Sequence, residues 1–267
     1  MIIMDLSWPD IHWEDPDGGT IVLHGTLPTV VYPLSMRPRF TWHGLGLLVT
    51  SEEPEVWQGE EEAELEDSGI NLDSAILGGG IDGYYLEMLT YVDDIQIGKF
   101  PDPEPRRLHK SALKHGRLIT FAEPDLSDEN WVDHLENEAK VMTSPRKLLG
   151  MALIGRKWRK RLKSMRKYVV TQPDKAPDGL QAASSLCGTW WSLLQDRSSV
   201  ELNLNRDQRF AARLRGGLAS LRQEFGDDAV MLVPIILPWR KGIQNALEEL
   251  PEAEASSVSA QSEDEEE

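Results

Sequence analysis

The stretch Val200 to Leu250, VELNLNRDQRFAARLRGGLASLRQEFGDDAVMLVPIILPWRKGIQNALEEL, decides the fold. Asn205-Arg206-Asp207 opens a run whose apolar residues fall at Phe210, Leu214, Leu218, Leu221 and Phe225. That is helical spacing, and it leaves Arg206, Asp207, Arg209, Arg213 and Arg222 for the other faces. Gly226-Asp227-Asp228 breaks the helix. Ala229 to Leu237 is then apolar at nearly every position, as in a strand covered on both faces. Pro238 stops the strand, and Gly242-Ile243 leads into a short last helix. Helix, doubly buried strand and helix in succession point to an α/β layer.

Further strands lie toward the N-terminus. Thr20-Ile21-Val22-Leu23 follows the Asp17-Gly18-Gly19 turn, Thr29 to Tyr32 continues it or forms a second strand, and Gly44 to Thr50 is a short apolar run. Leu118 to Ala122 reads as another buried strand. Tyr84 to Leu89 reads as a helix behind Gly78-Gly79-Gly80, whereas Asp102-Pro103-Glu104-Pro105 bars regular structure. Helices dominate next. Ser127 is placed as an N-cap, with Asp128 and Glu129 at the positive end of the helix dipole and Trp131, Leu135, Ala139 and Met142 on one face. Pro145 starts a second helix with an apolar stripe through Leu148, Met151, Trp158, Leu162, Met165 and Val169. Gln172 to Gly179 is a linker, and Leu180 to Leu194 a third helix. The expectation is an α/β fold: a single mixed-sheet domain over residues 1–250, with a helical basic insertion over about 127–196 and a disordered acidic tail over 251–267.

The 267 residues are 40% hydrophobic and include nine Trp, enough for a sizeable core. The one cysteine, Cys187, excludes an internal disulfide framework and a thiolate zinc cluster. The start, Met1 to Asp5, has no basic region of a signal peptide, and no run approaches about 18 uninterrupted apolar residues. A cytoplasmic protein without a transmembrane segment is expected. The net charge of -17 is segregated. Glu52 to Asp73 holds ten acids and no base, which suggests an exposed acidic loop; Arg146 to Lys167 holds ten bases and no acid; Pro251 to Glu267 holds seven acids and no base.

Of the histidines, none pairs with another at the i, i+4 spacing of a helical zinc site. His24 stands out because ligands in α/β sheets gather at the carboxyl ends of strands. Glu123 follows the strand Leu118 to Ala122 and shares that position, fit for acid/base work or hard-metal binding, or for turning the chain through Pro124 and Asp125. The Gly78 to Gly83 loop lacks the Gly-Lys-Ser/Thr of a phosphate cradle, so no cofactor-binding loop is expected. Cys187 reads as a small buried apolar residue. The strongest compositional signal is Arg156-Lys157-Trp158-Arg159-Lys160-Arg161-Leu162-Lys163. Its cations suit a protein partner, nucleic-acid phosphates or an anionic membrane surface, or they neutralise the chain's own acids.

The final block resembles the TraB family, with its GumN- and Tiki-type members and its relatives of ChaN and erythromycin-esterase fold. Arg206-Asp207-Gln208-Arg209-Phe210-Ala211 is similar to the family's helix opening, Val230-Met231-Leu232-Val233 to its strand, and Gly242-Ile243-Gln244-Asn245-Ala246-Leu247 to its last helix. Leu23-His24-Gly25-Thr26-Leu27-Pro28 is similar to the N-terminal strand motif, and Glu123-Pro124-Asp125-Leu126-Ser127 to the central acidic stretch. Pro28 stands where that first motif has histidine, and Ile235-Ile236-Leu237-Pro238 lacks the second motif's histidine. The resemblance implies a divergent member whose metal site is lost or relocated. Two functions follow. One is a non-catalytic interaction or regulatory protein that binds through Arg156, Lys157, Arg159, Lys160, Arg161 and Lys163. The other is a metal-dependent hydrolase or peptidase with an altered site at His24, Glu123 and Arg206, where His24 and Glu123 hold a divalent metal and Asp207 is a further catalytic candidate. Arg206 and Asp207 are nonetheless expected to orient the end of the sheet rather than to perform chemistry.

Overall fold

The computed structural model describes residues 5–151, 153–171, 173 and 176–259. The strands are β1 (Ile11–Glu14), β2 (Thr20–Thr26), β3 (Gly44–Leu47), β4 (Leu118–Phe121), β5 (Val230–Ile236) and β6 (Ser257–Ser259). They form one mixed sheet in the order β1-β2-β5-β3-β4-β6. The four central strands are parallel, and β1 and β6 close the edges antiparallel. The helices are α1 (Glu53–Glu66), α2 (Ile70–Gly78), α3 (Gly80–Leu89), α4 (Pro103–Lys114), α5 (Glu129–Met142), α6 (Pro145–Met151), α7 (Ile154–Met165), α8 (Gly179–Gln195), α9 (Val200–Phe225) and α10 (Arg240–Glu248).

β5 is the last parallel strand to be made and inserts between β2 and β3, which accounts for its unbroken apolar sequence. Leu232 packs with Val22, Leu45 and Ile119 on one face. Met231, Val233 and Ile235 pack on the other, against Phe210, Leu214 and Leu218 of α9 as the helical spacing predicts. β5 pairs with β2 as far as Ile236 but with β3 only as far as Leu232. Pro234 has no N–H with which to extend a ladder on that side. The sheet therefore splays between β3 and β5 at its carboxyl end.

α9 begins earlier than its apolar spacing indicates. The Ser199 side chain caps it by accepting from the Leu202 N–H at 3.1 Å, so Arg206 and Asp207 lie two turns inside the helix rather than at its start. The helix's basic faces are also not left to water. Arg213 is buried and donates to the carbonyls of Phe121 and Ala122, and Arg215 is buried against Asp15.

Several expectations change. The acidic stretch 52–73 is not a loop: it forms α1 and the start of α2. Pro54 and two first-turn glutamates favour the helix start, Trp57 is buried, and Glu61 pairs with Arg106 and Lys110, which hold its carboxyl down to about 2. Asp102-Pro103-Glu104-Pro105 opens α4, because proline is tolerated in the first helical turn, where its missing N–H is not needed. Thr29 to Tyr32 is not a strand: Thr29 turns to φ 61° and ends the extension of β2. Asp128, not Ser127, caps α5 through the Trp131 N–H at 3.0 Å, while Ser127 bonds Asp125. The single helix expected from Pro145 to Val169 is two, and Leu148 stands 52% exposed. The packed chain also runs beyond Leu250. The Glu254 N–H donates to Ala212 at 3.0 Å, Glu254 pairs with Arg209, and Ser257 to Ser259 pair with β4. Residues 260–267, the rest of the tail expected from the sequence, lie outside the described residues. Among the described residues no helix is long and apolar enough to cross a membrane.

Candidate functional site

β2 delivers His24, Gly25 and Thr26 to the carboxyl end of the sheet, where α/β proteins place their ligands. His24 is buried there between two carboxylates. Its Nδ1 lies 2.8 Å from Asp10 Oδ1, and its Nε2 lies 3.6 Å from Glu104 Oε1, too far for a hydrogen bond. Burial opposes a charge on the imidazole, but Asp10 and Glu104 outweigh it and hold the histidine above its ordinary value. Burial likewise opposes ionisation of Glu104; Arg107 and His24 outweigh it, and Arg107 Nε reaches Glu104 Oε2 at 2.9 Å. The cluster is a buried ion network in which His24 Nε2 makes no hydrogen bond.

The space beside Gly25 and Thr26 is taken up by the protein itself. A β-carbon at Gly25 would stand 2.5 Å from Leu237 Cδ1 and 3.0 Å from Arg240 Cζ. Arg240 is fully buried and donates to the carbonyls of Ser7, Pro9 and Leu237. The Tyr32 hydroxyl donates to the Gly25 carbonyl at 2.9 Å. What stays open is the splay between β3 and β5, a cleft of about 120 Å³ lined by Thr26, Val49, Trp57, Asp102, Ile236 and Trp239. Asp102 Oδ1 accepts from the Thr29 N–H at 3.0 Å and so secures that left-handed residue. Burial, with Glu104 and Glu60 nearby, pushes the Asp102 carboxyl up to about 7 against that hydrogen bond.

The other sequence candidates lie elsewhere. Glu123 follows β4; burial raises its carboxyl, Glu53 adds to the rise and Trp131 opposes it. Arg206 and Asp207 bind one another, with Arg206 Nη2 2.8 Å from Asp207 Oδ1. The same oxygen accepts from Trp239 Nε1 at 2.8 Å, and the Arg206 guanidinium lies over the Trp239 and Trp191 rings at 4.7 and 5.5 Å. A β-carbon at Gly242 would meet Asp207 Oδ2 at 2.6 Å, so this pair sets the approach of α10 to α9. His24, Glu123 and Arg206 thus sit in separate clusters. Among the described residues no group of three or more His, Cys, Asp or Glu side chains is arranged to hold a metal ion.

Asp10, Tyr32, Asp102, Glu104 and Arg240 escaped the sequence reading. The only local signal was the Asp-Pro-Glu-Pro run, which marks a helix start as readily as a breaker. Cys187 is buried, as expected, and burial pushes its thiol well up.

The basic segment carries the remaining candidates. Trp158 and Met165 bury one side of α7, and Trp158 meets Tyr84 edge-on at 5.0 Å. Arg156, Lys157, Arg159, Lys160 and Lys163 are exposed. Among the described residues only Arg161 of this helix pairs with a carboxylate, that of Asp196. The spacing divides these cations into two stripes, with Arg156, Arg159 and Lys163 on one and Lys157, Lys160 and Arg161 on the other. Compared with protein-family models, with curated proteins and with solved structures, the chain finds no match in any of the three.

Proposed function

We propose that this protein is a non-catalytic interaction protein, a divergent TraB-like scaffold that docks an acidic protein partner on the exposed stripe Arg156, Arg159 and Lys163. One observation carries the reading: in a chain of net charge -17, these three cations make no ion pair among the described residues. Trp158 fixes the helix beneath them, so little order is lost on docking. The filled space beside Gly25 and the separation of His24, Glu123 and Arg206 leave the metal-dependent hydrolase reading without support. The acids elsewhere repel any polyanion, so binding on this stripe should be confined to low salt.

The test is titration of the full chain with fluorescent poly-L-glutamate, a short DNA duplex and anionic vesicles at low and physiological salt. Poly-L-glutamate should bind at low salt, weaken steeply as salt rises, and fail to bind R156E/R159E/K163E. Binding of the duplex tighter than about 1 μM at physiological salt would replace this reading with nucleic-acid recognition. Preferred binding to vesicles would replace it with a membrane surface, and no binding by any polyanion at low salt would remove it.

A further inference from the structure

The second stripe of α7 borders an open cleft. Lys157, Lys160 and Arg161 line this cavity of about 500 Å³ together with residues of α6 and the end of α8, a size that suits small organic ligands. Lys147 and Arg197 extend its basic wall, and among the described residues Asp196 is the one carboxylate lining it. Ile81, Ile154 and Leu193 supply an apolar side.

Three of the five cations are held by the protein. Arg161 bonds Ser192 and Asp196. Lys147 Nζ donates to the carbonyls of Arg197 and Ser198, and Arg197 donates to the Met142 carbonyl at 2.9 Å. These bonds fix the wall where α8 ends. Lys157 and Lys160 have no acceptor among the described residues. The Lys157 ammonium lies across Gly150, where a β-carbon would stand 2.7 Å from Nζ, so the glycine makes room for it. Asp196, the only lining acid among the described residues, is already engaged. Two uncommitted ammonium groups in a concave basic wall concentrate anions, and crowding by Arg197, after burial, already lowers the Lys147 ammonium.

We propose that this cavity binds an amphiphilic phosphate monoester: a dianionic phosphate between Lys157 and Lys160, with a short apolar body against Ile81, Ile154 and Leu193. Two ammonium groups match the charge of a phosphate dianion better than that of one carboxylate, and lysine binds phosphate as a point charge. Ser164, which also lines the cavity, offers a hydroxyl donor. The apolar side contributes roughly 0.8 kcal/mol per methylene buried, so an alkyl ester should outbind free phosphate. The same chemistry exists in a soluble ester and in a lysolipid headgroup.

The experiment is calorimetry on the full chain at physiological salt, with inorganic phosphate, octyl phosphate below its micelle concentration, and octanol as probes. Octyl phosphate should bind at least about tenfold more tightly than inorganic phosphate, and octanol should not bind. K157M/K160M should lose at least about tenfold of that affinity, and I154S should shrink the difference between the ester and free phosphate. Thermal melts establish that both variants fold; should K157M/K160M fail, K157Q alone carries the test. Co-sedimentation with lysophosphatidate-containing vesicles that the lysine variant abolishes assigns a lipid source, and indifference to vesicles with retained octyl phosphate binding assigns a soluble one. Equal affinity for octyl and inorganic phosphate, undiminished binding by folded lysine variants, or no binding of octyl phosphate would each overturn the assignment. The site does not rest on the docking proposal, because its probes are small molecules and its variants leave Arg156, Arg159 and Lys163 in place.

Discussion

Replacing Arg215 with methionine should unpair the most deeply buried carboxylate of the fold's amino-terminal turn. Arg215 grips Asp15 with a fork, Nε to Oδ2 at 2.8 Å and Nη2 to Oδ1 at 3.1 Å. It also reaches Asp17 Oδ2 at 3.0 Å and the Pro251 carbonyl. The Asp15 side chain has 0% exposure, so water cannot take the guanidinium's place. Breaking a buried pair by removing one partner costs about 3–5 kcal/mol, because the charge left behind is uncompensated. Against a typical stability of about 5–15 kcal/mol this is a large fraction, and R215M should unfold at much lower urea. The pH response supplies a second readout. Burial opposes ionisation of Asp15, but the bonds from Arg215 and from the Asp17 N–H hold its carboxyl below the ordinary value of 3.8. In the wild type this group's contribution is therefore fully present above 3.8 and is lost only as pH falls through the lower folded value. In R215M burial is opposed only by the Asp17 N–H and by Arg222, so the carboxyl rises, and mild acidification from neutrality should stabilise the variant relative to the wild type. Urea melts followed by tryptophan fluorescence at about pH 5 and pH 7.5 read both effects, and D15N/R215M should recover much of the loss. A cost below about 1 kcal/mol at neutral pH, or a double variant no more stable than R215M, would show that Asp15 does not depend on Arg215 in the manner argued.

Three further outcomes follow from the same geometry. H24Q should cost more stability at about pH 5.5 than at pH 9: His24 is held above 6.5, so its charged contribution is fully present below that value and lost as pH rises through the folded one, and a pH-independent cost would contradict this. D102N should be nearly neutral at about pH 4 and stabilising, on the order of a few kcal/mol at most, at pH 8. The reason is that wild-type stability falls as pH rises from 3.8 to about 7 while only the unfolded carboxyl is ionised, and unchanged melting at both pH values would refute it. A β-carbon at Gly216 would collide with the Glu254 carbonyl, so G216A should lift the 251–259 segment off α9, read as faster amide exchange in β6 and faster proteolysis after Pro251, with wild-type protection as the refuting result.

Local pattern was enough for the core of the fold. The spacing of Phe210, Leu214 and Leu218 and the apolar run of β5 each state a burial direction within ten residues or so, and packing needs nothing more to orient them. The same logic found β4, α8 and the buried side of α7. It misplaced the start of α9, because Ser199 makes a cap without any apolar period to announce it. It also misread 52–73, because a helix rich in glutamate looks solvated until Arg106 and Lys110 arrive from α4.

The site was less legible than the fold, for a physical reason. The sequence alone placed His24 at a strand's carboxyl end, Cys187 in a helix core and ten bases between 146 and 167. It could not join His24 to Glu104, Asp15 to Arg215, or Lys147 to the end of α8, because such partners are separated by tens to hundreds of residues and leave no period in the chain. Hydrophobic burial is encoded one side chain at a time, since each apolar residue gains by leaving water wherever it goes. A buried charge gains only where an opposite charge or a carbonyl is brought to meet it. Tertiary structure alone therefore decided that Arg213, Arg215 and Arg240 face inward, that Arg240 fills the space beside Gly25, and that Lys157 and Lys160 are left without partners among the described residues.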